Sequence, residues 1–314
     1  MIKLEPRLLR ARTYWRERNL VLRYTQKTKK IGFRCLVYLV LLEFGFIFLL
    51  PFLYMLSRST MSIADLLDES VVWLPNSVHW QNYADAFREL NAPVTFKNTF
   101  MNSVIPMAGQ LISCAVAGYG LGRYRFRGSG LIFVLLLICL IVPPQTTIIA
   151  LYTMHSEMGL INTYWPTILP AFFAQGIRGA LFMLIFTQFF KGLPKELDEA
   201  ARIDGAGAFR VFSRVMLPLA KPAVFVVAVF SLVWHWNDNF HARYFANTAD
   251  MFTMPWQLEI VNFEYVVNAG ADAALNEGML MAAVLMIVAP LFVVYMIGQR
   301  YLVEGIERTG LAGD

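Results

Sequence analysis

The sequence predicts an all-α, polytopic membrane protein with six transmembrane helices and one long structured loop on the cytoplasmic side. Three observations predict it. Of 314 residues, 57% are hydrophobic and only 16% charged, with a mean hydropathy of +0.52. A water-soluble surface of this length needs far more charge, so the excess apolar area must face lipid. Six apolar runs are each long enough for a span, which takes about 20 residues. The loops between the runs alternate in charge.

The first element is a basic arm, residues 1–31. Eleven Lys or Arg residues lie between Lys3 and Arg34. They account for much of the net charge of +5, and their place ahead of the first apolar run points to anionic lipid headgroups rather than to nucleic acid. A disordered basic tail with no partner fits the same composition. A cleavable signal peptide does not, because the charged region is too long and no small-residue cleavage site follows. The three cysteines, Cys35, Cys114 and Cys139, have no metal-ligand spacing and read as small core residues.

The six runs are Gly32–Leu56, Thr99–Leu121, Gly130–Leu151, Ile168–Phe190, Pro222–Phe240 and Gly278–Ile297, inside a domain of residues 32–300. Arg123, Arg125 and Arg127 follow the second run. Lys191, Lys195, Arg202, Arg210, Arg214 and Lys221 follow the fourth, and Arg300 and Arg308 lie by the tail, 301–314. The intervening loops are acidic: Asp65, Asp68, Glu69, Asp85 and Glu89 in one, Asp250, Glu259, Glu264, Asp272 and Glu277 in the other. The positive-inside rule then places both termini in the cytoplasm, which an even number of spans requires. In the first outer loop, Leu74-Pro75-Asn76-Ser77 signals a turn. Trp80, Tyr83 and Phe87 follow at helical spacing, as an interfacial helix, a docking surface or an aromatic belt.

The loop at 191–221 predicts two short helices. Pro194 suits a first helical position, and Glu196, Asp198 and Glu199 complement the helix dipole in the first turns. Ala200 and Ala201 leave a face that another surface can approach closely. Gly205 supplies a left-handed stop. Phe209, Phe212, Val215 and Met216 then form a second apolar stripe, closed by Leu217-Pro218.

Glu199-Ala200-Ala201, Gly205 and Leu217-Pro218 reproduce the pattern E-A-A-x3-G-x9-I-x-L-P, with Val215 in place of Ile. That pattern resembles the EAA loop of bacterial ABC importer permeases, and Asp204-Gly205-Ala206 narrows the likeness to the carbohydrate-uptake branch. Ala117–Phe126, Gly159–Asn162, Trp236-Asn237-Asp238 and Gln299–Gly305 extend it to nearly the whole chain after Ile31, which is similar to the second permease subunit of a maltose-type transporter. The resemblance implies that the loop seats in a cleft of a cytoplasmic ATPase, with Glu199 at the contact and Gly205 at the bend. It also implies a second permease chain, two ATPase subunits and an extracellular solute-binding protein. No G-x4-G-K-[S/T] phosphate loop occurs here, so ATP and magnesium belong to the partner ATPase and no cofactor is expected on this chain.

Candidates for the substrate path are fewer. Glu43 is an ionisable group within the first run, costly in lipid unless it faces protein or a cavity. It lines the path or hydrogen-bonds within the bundle. Trp234, Trp236, Asn237 and Asn239 have the chemistry to stack on and hydrogen-bond a sugar, or to anchor an interface. His235, Asp238 and His241 are spaced by three but match no metal motif. The expected function is a permease subunit carrying a carbohydrate. Another solute, such as glycerol phosphate, a peptide or an amino acid, is the alternative within transport. An intramembrane enzyme built on Glu43 or His235–His241 is the alternative outside it, and such an enzyme would have no use for the 191–221 loop.

Overall fold

The structure, a computed structural model, describes residues 5–269 and 277–310, with side chains outside the description at 5–29, 31, 265, 266, 268, 269 and 300–310. Asp272 and the side chains of Arg300 and Arg308 lie outside the described residues, so their part in the charge asymmetry is read from sequence alone. Among the described residues the chain is helical throughout, without a strand. It divides into two compact units, Met1–Arg58 and Ser59–Asp314. One helix, α1 (Glu5–Ser59), carries both the basic arm and the first predicted span. Its apolar side chains from Phe33 to Leu53 are exposed, Glu43 lies on the same helix and is exposed too, and Cys35 is not a core residue.

The second unit opens with the outer loop. Helix α2 (Ile63–Leu67) starts in a capping box between Ser62 and Asp65, and Asn76 of the predicted turn donates to Asp65 Oδ1 at 2.8 Å. Helix α3 (Gln81–Glu89) splits the predicted aromatic row: the Tyr83 hydroxyl bonds Ser59 Oγ at 2.9 Å, while Trp80 and Phe87 are exposed.

Helix α4 (Ala92–Arg123) is the central element and includes the second predicted span. The third and fourth predicted spans are not single helices. Helix α5 (Ser129–Ile141) ends where Val142 and Pro143 turn extended, because a proline removes the N–H and forces the residue before it out of the helical region. A 3-10 turn at Pro144–Thr146 and helix α6 (Ile148–Glu157) follow. The fourth run becomes α7 (Trp165–Ala171) and α8 (Gly179–Gly192), separated by left-handed residues at Ala174, Gly176 and Arg178. Helix α4 satisfies the broken backbone: Gln110 Nε2 donates to the Gln175 and Ile177 carbonyls at 3.0 and 2.9 Å, and the Ser113 hydroxyl donates to the Ala171 carbonyl at 2.7 Å. Irregular backbone at this depth is tolerated where protein supplies the partners.

Helices α4 and α8 approach closely at two glycines. A Cβ on Gly118 would lie 2.5 Å from Phe186 Cβ, and one on Gly122 would lie 3.0 Å from the Thr187 carbonyl. This is the small-xxx-small packing by which helices associate in lipid. Phe182, Phe186 and Phe190 fill the core behind them with Cys114, Val211 and Met216. After the loop of α9 (Glu196–Ile203), α10 (Ala208–Val211) and α11 (Leu217–Leu219) come α12 (Lys221–Trp236), α13 (Phe240–Phe245), α14 (Met254–Ala269) and α15 (Glu277–Gly310).

By length and composition three helices can cross a membrane alone: Gly32–Ser59, Ala92–Arg123 and Glu277–Gln299. Ala208–Leu219 and Lys221–Trp236, bent by 76°, reach that length only when taken together, and Ser129–Ile141 and Gly179–Gly192 are shorter apolar helices.

Candidate functional site

The loop between α8 and α12 is built from its ends inward. Helix α9 begins at Glu196, two residues later than expected. Pro194 is not its first residue, because the Pro194 carbonyl is turned to Arg123, whose Nη2 donates to it at 2.8 Å. The three acids Glu196, Asp198 and Glu199 do occupy its first turn.

Its C-terminal end closes in a Schellman motif. The Gly205 N–H donates to the Arg202 carbonyl and the Ala206 N–H to the Ala201 carbonyl, both at 3.0 Å, with Asp204 as C-cap and Gly205 at φ +79°. This geometry needs a left-handed residue at Gly205. A Cβ there would meet nothing within 4 Å, so within this chain the backbone conformation alone demands glycine.

The two alanines diverge. Ala200 is exposed, but Ala201 packs with Leu197 and Ala206 against the chain's own core; a residue one position on points about 100° round a helix of 3.6 residues per turn. The expected second stripe is also redrawn. A single π turn, Phe212–Met216, inserts an extra residue per turn and buries Val211 and Met216 completely. Phe209 is thrown outward, 80% exposed, with Ile203 at 86%. The tip therefore carries Glu199, Ile203 and Phe209 on its open surface. Leu217 packs partly on the core, and Pro218 is exposed just before the 76° bend at Ala220.

Sequence reasoning counted Arg123 only as a loop charge; the structure makes it the clasp of this loop. From the last turn of α4 its guanidinium pairs with Asp198, Nε reaching Oδ2 at 2.5 Å. Nη1 donates to the Phe190 and Leu193 carbonyls at 3.2 and 2.7 Å, and Tyr119 donates to the other Asp198 oxygen at 3.3 Å. The pair is 5% and 13% exposed. One arginine thus holds the exit of α8, the Pro194 turn and α9 to α4. Beside it lies an open cleft of about 690 Å³ lined by Arg125, Lys191, Lys195, Glu199 and Arg202.

The substrate-path candidates separate. Trp236 is corrected: it is 3% exposed, its indole N–H donates to the Ile287 carbonyl at 3.0 Å, and its ring packs edge-on against Phe96. No ring face is open to a sugar. Trp234 stacks on Phe230 beneath the Arg178 guanidinium, 5.3 Å from its ring centre. Asn237 and Asn239 do share a cleft, of about 570 Å³, with Glu259 and Asn262 on apolar walls from α14 and α15. Asn239 Nδ2 donates to Glu259 Oε2 at 2.9 Å, and Arg243 pairs with the other Glu259 oxygen. His241 Nδ1 lies 3.0 Å from Asp238, and His235 is buried beside Ser231.

This arrangement of helices has a counterpart among solved structures. A chain in a crystal structure of a bacterial ABC transporter involved in the import of the acidic polysaccharide alginate matches it with a TM-score of 0.71 at 22% identity, over 86% of this chain and 96% of that one. The fold is that of an ABC importer permease. Residues 115–308 match the binding-protein-dependent transport system inner membrane component family, and the chain belongs to that family. It is a membrane transport subunit, not an enzyme. Among curated relatives, the arabinooligosaccharides transport system permease protein AraQ of Halalkalibacterium halodurans is 29% identical over 272 residues, 86% of this chain and 93% of that protein. The diacetylchitobiose uptake system permease protein NgcG of Streptomyces coelicolor is 30% identical over 287 residues, 88% of each chain.

Proposed function

We propose that this chain crosses the membrane six times with both termini in the cytoplasm and forms one half of the translocation path for a carbohydrate. An extracellular binding protein delivers the substrate, a second permease completes the path, and two ATPase subunits bind the ATP and magnesium. The 191–221 loop seats in the ATPase. The observation that carries this is the loop itself: Glu199, Ile203 and Phe209 stand exposed on a tip whose root Arg123 clasps to α4. Exposed apolar side chains beside a charge suit a protein contact. The clasp gives a movement at that contact a rigid route to a helix of spanning length. Carbohydrate is supported by the relatives, permeases of an arabinooligosaccharides transport system and a diacetylchitobiose uptake system, and by the Asp204-Gly205-Ala206 signature. Asn237, Asn239 and Glu43 remain the candidates for the path.

The test is uptake of labelled oligosaccharides by the reconstituted complex with its binding protein, compared with peptides and glycerol phosphate. Glu199→Lys should abolish binding-protein-stimulated ATP hydrolysis while the spans still insert. Uptake confined to a non-carbohydrate would reject the substrate class, and full stimulation in Glu199→Lys would reject the docking role of Glu199.

A further inference from the structure

Among the described residues, Asn102 Oδ1, His235 Nε2 and Thr253 Oγ1 are buried polar atoms with no partner in the chain. All three residues line a single cavity of about 20 Å³, with Thr163, Thr167 and Asp238 completing its polar wall. They come from separate elements, α4, α12 and the segment before α14. His235 and Thr253 are 4% and 5% exposed. A buried polar group left without a hydrogen bond carries its desolvation cost uncompensated, so three in one cavity point to something bound there.

The hydrogen-bond chain behind His235 states what the cavity asks for. Gln110 Nε2 donates to two backbone carbonyls, which leaves its Oε1 to accept from the Ser231 hydroxyl at 2.7 Å. His235 Nδ1 lies 2.8 Å from the Ser231 carbonyl. A carbonyl only accepts, so Nδ1 carries the proton, and Nε2 of the neutral ring presents a lone pair. Asn102 Oδ1 presents another, and the Thr253 hydroxyl donates or accepts. The occupant must therefore give two hydrogen bonds and can exchange a third with Thr253 in either sense, in a space of about 20 Å³. A water needs roughly 10–15 Å³ by the same measure and makes about three hydrogen bonds when buried.

We propose that this cavity is a binding site for one water molecule, which donates to His235 Nε2 and Asn102 Oδ1, accepts from the Thr253 hydroxyl, and so joins α4, α12 and the segment entering α14. The site does not depend on the substrate class or on the docking role of the loop.

Two measurements on the assembled transporter test it together. A cryo-electron-microscopy map at about 2 Å should show one isolated peak about 2.7–3.2 Å from the three atoms. Thr253→Val keeps the shape and removes only the hydroxyl. If the water is there, the variant strips it of a partner, and the heat-inactivation midpoint of the complex falls. If the cavity is dry, the variant removes an unsatisfied group, and the midpoint rises. Asn102→Leu should also lower the midpoint, and the double variant should lose less than the sum, since both act through one molecule. A map without the peak, a raised midpoint in Thr253→Val, or a peak closer than about 2.6 Å to the two oxygens, as a cation would sit, overturns the proposal.

Discussion

Replacing Arg123 with Leu should disconnect the loop from the helix behind it. The side chain is 5% exposed and pairs with an Asp198 that is 13% exposed. It also serves three backbone carbonyls, those of Phe190, Leu193 and Pro194. Removing one partner of a buried pair typically costs about 3–5 kcal/mol, because the remaining charge is left without compensation. At about 1.36 kcal/mol per tenfold, that shifts the equilibrium between clasped and unclasped loop by roughly a hundred- to several-thousand-fold. The assay is the ratio of substrate imported to ATP hydrolysed in proteoliposomes, with co-purification of the ATPase as the control for assembly. Arg123→Leu should lower the ratio severely. Arg123→Lys should fall between, since an ammonium keeps the charge but lacks the planar fork that reaches several acceptors at once. Arg123→Leu with Asp198→Leu should be milder than Arg123→Leu alone, because no lone buried charge remains. A parental import ratio in Arg123→Leu, with the ATPase still bound, would refute the clasp. A double variant no milder than the single would show that the carbonyl bonds, lost in both, carry the effect and not the ion pair.

Gly205→Asn, →Ala and →Val should impair ATPase co-purification in that rising order, because a Cβ in the left-handed conformation costs about 1 kcal/mol or more and a β-branched one costs most. Since a Cβ there meets nothing in this chain, a variant series with Asn worst would mean that the ATPase itself crowds the position. A single cysteine at Ser70 should react with an impermeant thiol reagent from outside intact cells, and one at Ala208 should not; labelling at position 208 would invert the topology. The Ser62 hydroxyl and N–H, with Asn76, hold the Asp65 carboxyl below its ordinary range. The stability it lends is therefore complete above the ordinary aspartate value of about 3.9 and is lost as pH falls through the lowered one. Hydrogen-exchange protection of residues 62–76 should drop in strong acid, and Asp65→Asn should weaken it already at neutral pH; unchanged neutral protection in that variant would count against the cap.

What could be read without coordinates was what the local chain dictates. Gly205 was legible because its demand is a backbone angle, set by the six residues around it. The long helices at the first, second and last predicted spans were legible because an apolar run of that length favours one continuous helix. The third misled only because apolar length was weighed above Pro143-Pro144, a signal present in the sequence. The break at Ala174–Arg178 was marked only by Gly176 and Gly179, and it survives because Gln110 and Ser113, some 60 residues earlier, supply the missing partners. Arg123 was hidden for a related reason. Its neighbours are fixed by how closely Gly118 and Gly122 let α8 approach, and the glycine spacing was the one available hint. Trp236 and Ala201 were misplaced because composition names a side chain without saying which way its helix turns.

The bend at Ala220 decides the direction in which force leaves the loop. At 76° between the two arms, a thrust along α10 and α11 has little component along α12; nearly all of it is transverse. An ATPase pressing on Phe209 would therefore not drive α12 through the bilayer like a piston. It would swing the loop end of α12 sideways about its far end, in the manner of a bell crank.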